Sequence, residues 1–313
     1  MSDKQRGICI HVPGDWLHDA GAVLPFYRRL CDGFDRLDAS WKFVEINREL
    51  ARNQVESDNL FHIINHGRIS HPRVLNAGIA YVYPYWHLDP AGIRAFSSIA
   101  DAPFQPRSID GPTARRFMRK LRARLVGKRT SRYEQPQETE ALPQAAAAIF
   151  LQSESHRNVG ETLYLDRWTM VETTCASTPR PVIVKPHPRE METALFDQLL
   201  KLQTRHPNLH IALGNIHDII DASDHVVTIN SAVGVESLLH EKPVILCGRT
   251  DFNHIATTAK TPDDLRRALK NPVPTVRYAK YLYWYFGQQC LDATAPDLAE
   301  QVLARLNAQG YHL

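Results

Sequence analysis

The stretch VIVKPHPRE, residues 182–190, runs from three apolar residues into a histidine held between two prolines and flanked by two cations. Pro186 and Pro188 restrict the backbone around His187, and Lys185 and Arg189 stand on either side. An imidazole fixed beside an ammonium and a guanidinium suits a phosphate, because donors already in place need not reorganise when the anion arrives. A plain charged loop whose second proline opens a helix has the same sequence. The motif therefore gains meaning only from its neighbours.

Two further loops supply them. In TINSAVGVESLLHEKPVILCG, residues 228–248, Ser231 is placed to cap a helix, with Asn230 just before it. The free N–H groups of that first turn form an anion site. Gly234 would let a ligand approach the backbone, and Glu236, on the same helix, would take ribose hydroxyls. In FLQSESHRNVGET, residues 150–162, the polar groups Gln152, Glu154, His156 and Arg157 follow an apolar run. Glu154 or Glu161 could serve as nucleophile or base, with His156 beside them; a surface loop is the competing reading.

The first half is less specific. HVPGDWLHDAG, residues 11–21, brings His18 and Asp19 after a strand, and YPYWHLDPAGIRAFSS, residues 83–98, combines aromatics with His87, Asp89 and Arg94. Trp86, Arg94 and His18 are candidates for holding a sugar or lipid-linked acceptor, with Asp89 a candidate catalytic carboxylate. A domain interface would use the same residues. His62, His66 and His71 do not form the HExxH pattern, and the five cysteines include no CxxC pair. Neither a disulfide framework nor a protein-bound metal is expected.

The elements that would position these loops alternate between short apolar strands and helical stretches in both halves. That order predicts two α/β domains: residues 1–140, residues 141–280, and C-terminal helices over 281–313 that cross back to the first domain. Parallel sheets bind ligands at the carboxyl ends of their strands, which is where all three second-half loops fall. No apolar run reaches the roughly 20 residues of a bilayer span. The N-terminal stretch lacks the apolar centre of a signal peptide, so a cytoplasmic location is expected. A net charge of +3 over 313 residues makes any basic function local.

One local concentration exists. Residues 115–129 carry eight Lys or Arg and no acid, with Phe117, Met118, Leu121 and Leu125 on one helical face. Contact with an anionic membrane surface is one reading, and a solvated helix packing by its stripe is the other. Aromatics are not interleaved there, and no groove-binding motif accompanies the segment, which argues against nucleic acid. Residues 130–144 read as a polar linker.

The motifs PVIVKPHPRE and TINSAVGVESLLHEKPVILCG, with the tail KYLYWYFGQQCL at 280–291, resemble the bacterial capsular-polysaccharide biosynthesis family that includes retaining β-Kdo glycosyltransferases. The resemblance spans roughly residues 145–291. It implies the GT-B fold, two Rossmann-like domains with a cleft between them, and CMP-β-Kdo as donor with no metal cofactor. It also implies that Lys185 and His187 hold the donor phosphate and that Asn230, Ser231 and the helix start after them hold phosphate or ribose, with Glu236 nearby. Arg189 and Gly234, from the residue pattern, complete the expected nucleotide site. The acceptor would be a glycan or lipid-linked glycan at the inner face of the membrane.

One departure from the pattern stands out. Where the family carries an aspartate after the Gln of FLQ, this chain offers Glu154 and His156. A retaining double displacement needs a carboxylate nucleophile. Glu154 could fill that role, Asp89 could supply it from the first half, or the chemistry could differ. A UDP-sugar enzyme of the same fold, or a catalytically silent partner in polysaccharide assembly, remains a rival reading.

Overall fold

This computed structural model describes residues 6–153, 160–190, 192–270 and 277–313. In chain order the first elements are β1 (Ile8–Val12), α1 (Asp15–His18), α2 (Pro25–Arg36), β2 (Trp41–Glu45), α3 (Ala51–Ser57), β3 (Phe61–Asn65), β4 (Val74–Ile79) and β5 (Tyr85–Asp89). There follow α4 (Gly111–Arg124), β6 (Ala145–Phe150), α5 (Arg167–Ala176), β7 (Val182–Lys185), α6 (Thr193–Arg205) and β8 (Leu209–Ile211). The next group is α7 (Ile216–Asp221), β9 (Ser223–Thr228), α8 (Ala232–Leu239), β10 (Val244–Leu246) and β11 (Thr257–Thr258). The last are α9 (Pro262–Lys270), α10 (Tyr278–Leu282), β12 (Leu291–Asp292) and α11 (Leu298–Ala308).

These elements form two compact units. Unit 1 comprises the described residues up to Ala102 together with Tyr285–Leu313, and unit 2 is Pro103–Trp284. The basic segment and the stretch after it, expected in the first domain up to residue 140, fall in unit 2. The reason is packing: Ala114, Met118 and Leu121 of α4 are buried, and α4 lies against α8 and α10. The stripe read as a membrane face is spent on this protein's own interior, and only the cationic side of α4 remains exposed. Among the described residues no helix is long and apolar enough to cross a membrane.

Unit 1 has a six-stranded sheet in the order β12-β5-β4-β3-β1-β2. β1 to β4 pair in parallel, whereas β5 and β12 are antiparallel. β1 and β3 are buried along their whole length, while the edge strand β2 alternates. Apolar positions of α2, Phe26, Tyr27, Leu30 and Phe34, recur every three or four residues and close the core with Val302 and Leu306 of α11.

Unit 2 has the order β11-β10-β9-β6-β7-β8, all parallel. Counted from β6, this is the doubly wound order 3-2-1-4-5-6, and the strand order reverses between β6 and β9. Successive residues of β6 feed opposite cores: Ala147 and Ile149 join one cluster, Ala148 and Phe150 the other. Burial on both faces explains the unbroken apolar runs AAAAIF and VIV.

Candidate active site

The reversal point in unit 2 sets three loops side by side, because β7, β6 and β9 are neighbours. The loops after them carry His187, Gln152 and Ser231. A recess of about 60 Å³ at this edge is lined by Lys185, His187, Ser231 and Glu236, and by Tyr133 and Gln135 from the segment read as a linker. That volume admits a phosphate-sized group.

His187 is half-buried, and its Nδ1 accepts a hydrogen bond from the Arg189 backbone N–H at 3.2 Å. A neutral ring therefore carries its proton on Nε2, as a donor. The Tyr133 ring meets His187 edge-on with centroids 5.1 Å apart, and the Arg189 guanidinium lies 4.9 Å from the same ring's centre. Ser231 caps α8, its Oγ accepting from the Val233 N–H at 3.3 Å. Ala232 and Val233, in the first turn of α8, also line the recess, so the positive end of the helix faces it. The Val233 and Gly234 N–H groups are held by Ser231 Oγ and the Ser231 carbonyl.

Glu236 is 1% exposed. Its Oε1 accepts from the Ser131 hydroxyl at 2.8 Å, and its Oε2 has no hydrogen-bond partner among the described residues. Burial pushes this carboxyl up to about 7, with the Ser131 bond working in the other direction. Near neutrality it is thus only about half ionised, and below about pH 7 mostly neutral, which lets a glutamate share the recess with an anion. A neutral carboxyl can donate to a phosphate or hydroxyl, whereas a carboxylate would repel the former.

Beside the recess, Gln152 and Asn230 clasp each other. The Asn230 backbone N–H donates to Gln152 Oε1 at 2.9 Å, and Gln152 Nε2 donates to Asn230 Oδ1 at 2.6 Å. Asn230 Nδ2 then donates to Glu161 Oε2 at 2.7 Å. This network brings a half-buried carboxylate to the reversal point, whose partner Asn230 leads directly into Ser231. Glu161 was one of two carboxylates of its loop that the sequence offered. The other, Glu154, lies with His156 and Arg157 outside the described residues.

Several expected ligand contacts are used differently. Lys185 is 7% exposed, and its ammonium donates to the carbonyls of Leu213 and Gly214 at 2.8 and 2.7 Å. Burial lowers its pKa. It clamps the loop after β8 from the wall of the recess. Gly234 is a packing glycine: a Cβ there would come within 2.9 Å of the Phe252 ring. Asp89 is 4% exposed and accepts from the backbone of Ala91, Gly92 and Ser98 and from both hydroxyls of Ser97 and Ser98. Such a saturated carboxylate shapes its loop, and a nucleophile's lone pairs are not available on it.

The acceptor candidates of unit 1 also separate. Trp86 is 1% exposed, stacked on Phe26 at 4.2 Å with the planes 7° apart, so it belongs to the core. His18 is exposed at the end of α1. Arg94 is half-buried in the left-handed region at φ 53°, and its Nε and Nη2 have no hydrogen-bond partner. Tyr133, Ser131 and Gln135 were missed by reading composition alone; the signal was an aromatic and an arginine inside an otherwise polar stretch.

With this geometry in view, residues 167–286 match the model of the family described as capsule polysaccharide biosynthesis protein. The match includes the 182–190 and 228–248 motifs. Among solved structures, the Thermosulfurimonas dismutans KpsC beta Kdo 2,7 transferase is similar over 97% of this chain and 100% of that one, at 15% identity and a TM-score of 0.59. The KpsC beta Kdo 2,4 transferase of the same organism is similar over 88% of each chain, at 13% identity and a TM-score of 0.51. No curated protein sequence matches. At these identities the likeness is one of fold, and the fold is GT-B, built from two Rossmann-like units.

Proposed function

We propose that this chain is a glycosyltransferase of capsular or other surface polysaccharide assembly, transferring Kdo or a related acidic sugar from a CMP-sugar donor with retention. The observation that carries this reading is the recess where His187, the opening of α8 at Ser231 and the buried Glu236 meet. A departing cytidylate phosphate there would receive the His187 Nε2 proton and face the positive end of α8, fixed charge doing the work of a metal ion. Glu236 would meet the ribose. The match to the capsule polysaccharide family and the fold shared with two Kdo transferases support the choice of sugar.

Retention requires a carboxylate that attacks the anomeric carbon, and Glu161, held by Asn230 at 2.7 Å, is placed beside the recess. The acceptor is a glycan or lipid-linked glycan at the cytoplasmic face. The exposed cations of α4 would meet anionic lipid electrostatically, without inserting.

Thermal shift with nucleotides is the first test. CMP should raise the melting temperature of the full chain more than UDP does, and Ser231→Ala with His187→Ala should abolish the difference. A larger shift with UDP would replace this reading with that of a UDP-sugar enzyme. Incubation with CMP-Kdo and lipid-linked acceptor then tests chemistry. Glu161→Gln should bind CMP normally and lose transfer by about 10³-fold or more. Retained transfer would move the nucleophile elsewhere, and CMP binding without turnover by the parent protein would favour a silent partner.

A further inference from the structure

Three metal-binding side chains meet on one buried face of unit 1, away from everything used above. Cys9 and His11 are two residues apart on β1, so they share a face, and His62 of β3 lies directly beside Cys9 in the parallel register. Cys9 is 3% exposed, and His11 and His62 are 0% exposed. One ligand atom from each, the thiol sulfur and a ring nitrogen of both histidines, lies within 4.8 Å of the others. The same face carries Lys42 of β2 beside Cys9 and an apolar patch in which Ile64 packs under Ala51 and Val55 of α3.

The hydrogen bonds around the trio are incomplete in an informative way. His62 Nε2 is 3.0 Å from Asp58 Oδ1, which directs the other ring nitrogen, Nδ1, inward. His11 Nε2 lies 2.9 Å from that Nδ1. His11 Nδ1 is sealed from water and has no hydrogen-bond partner among the described residues. A buried ring nitrogen left unpaired costs about 1–3 kcal/mol, and burying a thiol and two imidazoles together where valine or leucine would pack needs a reason.

We propose that Cys9, His11 and His62 form a metal site of the zinc class. Thiolate sulfur and imidazole nitrogen are both ordinary ligands of Zn²⁺, and three protein ligands with one open position is a zinc arrangement. A carboxylate holding the far nitrogen of a ligating histidine is the usual outer partner, here Asp58 on His62. On binding, the Cys9 thiol loses its proton to solvent and its sulfur bonds the ion. The His11–His62 contact gives way to two metal–nitrogen bonds, for which the nitrogens separate to about 3.4 Å around a tetrahedral ion. Water fills the fourth position. Asp58, with its side chain 35% exposed, marks the side from which the ion enters. Such a site would staple β1 to β3, and the nucleotide recess of unit 2 would not depend on it.

The test uses the full chain, reduced and stripped by a chelator, titrated with Co²⁺ and then Zn²⁺. The expected result is one equivalent of Co²⁺ with a near-ultraviolet thiolate charge-transfer band, displaced by Zn²⁺. Cys9→Ser should remove the band and weaken Zn²⁺ at least 100-fold, while Cys31→Ser, buried in the same unit, should change neither. Asp58→Asn should keep the stoichiometry and weaken binding 10- to 100-fold. If Cys9→Ser fails to fold by circular dichroism, His62→Asn gives the same readout. Substoichiometric binding by folded parent protein, or a band that survives both Cys9→Ser and His62→Asn, overturns the proposal.

Discussion

Each unit buries a chain of two histidines ending on an aspartate, and the two chains differ at one end. In unit 1 the chain runs from Asp58 through His62 to His11 and stops at a ring nitrogen with no hydrogen-bond partner among the described residues. In unit 2, Asp221 Oδ1 is 2.6 Å from His240 Nδ1, His240 Nε2 is 2.9 Å from His217 Nδ1, and His217 Nε2 is 3.0 Å from the Thr130 carbonyl. Two neutral imidazoles carry two ring protons. That suffices in unit 1, where each proton finds one acceptor. In unit 2 both ends are acceptors, so the complete chain needs three ring protons and carries one positive charge beside the Asp221 carboxylate. The same residue types thus hold different charges because their last partner differs.

Burial opposes that extra proton and lowers both pKa values, though hydrogen bonds to Asp221 and Thr130 pull the other way. The unit 2 chain is therefore complete only on the acid side of these lowered pKa values. As it loses its proton, the carboxylate keeps its strong bond, and a contact nearer Thr130 is given up. Thr130 precedes Ser131, whose hydroxyl holds Glu236, and Glu236 itself ionises as pH passes about 7. Losing the extra proton loosens the wall of the recess, and ionising Glu236 charges its floor.

The largest expected break in this comparison comes from truncating the inner rings. In metal-free protein, His217→Ala should cost about 3 kcal/mol and His11→Ala about 2 kcal/mol, because the first strands two partners and the second one. Denaturant melts with a probe in each unit would measure both. Equal costs would mean that the Thr130 contact contributes nothing. Only the His217 change should also weaken CMP.

Glu236→Gln comes next and is sensed through pH. A carboxyl raised from 4.5 to about 7 binds more protons folded than unfolded between those values, so its contribution to stability falls as pH rises through that window. The Gln variant escapes this loss. It should equal the parent near pH 4.5 and exceed it by up to about 3 kcal/mol above pH 7, while binding CMP less well. An unchanged pH profile in equilibrium unfolding would show that Glu236 is ionised throughout. The smallest effect is a single proton. Ring N–H resonances of the unit 2 pair should number three on the acid side of the pair's lowered pKa and two on the alkaline side, with no matching change in the unit 1 pair.

The nucleotide edge was legible because parallel topology does most of the work. Two buried strands ending in KPHP and TINS must deliver His187 and Ser231 to one side once β6 lies between β7 and β9. What a side chain does when it arrives was less legible. Trp86 and Gly234 have sequence contexts that fit a ligand, but Phe26 and Phe252, the residues that claim them, lie 60 and 18 positions away. Asp89 reads as a reactive carboxylate until its loop folds back to donate. The stretch after α4 has a linker's composition, yet Asn215 anchors it through the carbonyls of Arg129 and Pro136, turning Tyr133 into a wall. The Cys9–His11–His62 trio joins residues more than fifty positions apart through strand register, which no local pattern announces.

Unit 1 is assembled from both flanks of unit 2. Its sheet ends in β12, and the Tyr311 hydroxyl bonds the carbonyls of Gly7 and Asn59 at 3.0 Å. On the ribosome, Pro103–Trp284 forms one uninterrupted stretch that can finish folding while synthesis continues. The earlier-made half waits for its closing strand and helix. Premature termination after Trp284 would release an intact nucleotide-side domain tethered to an unfinished, adhesive sheet, so quality control should be far stricter on late nonsense codons than their short missing length suggests.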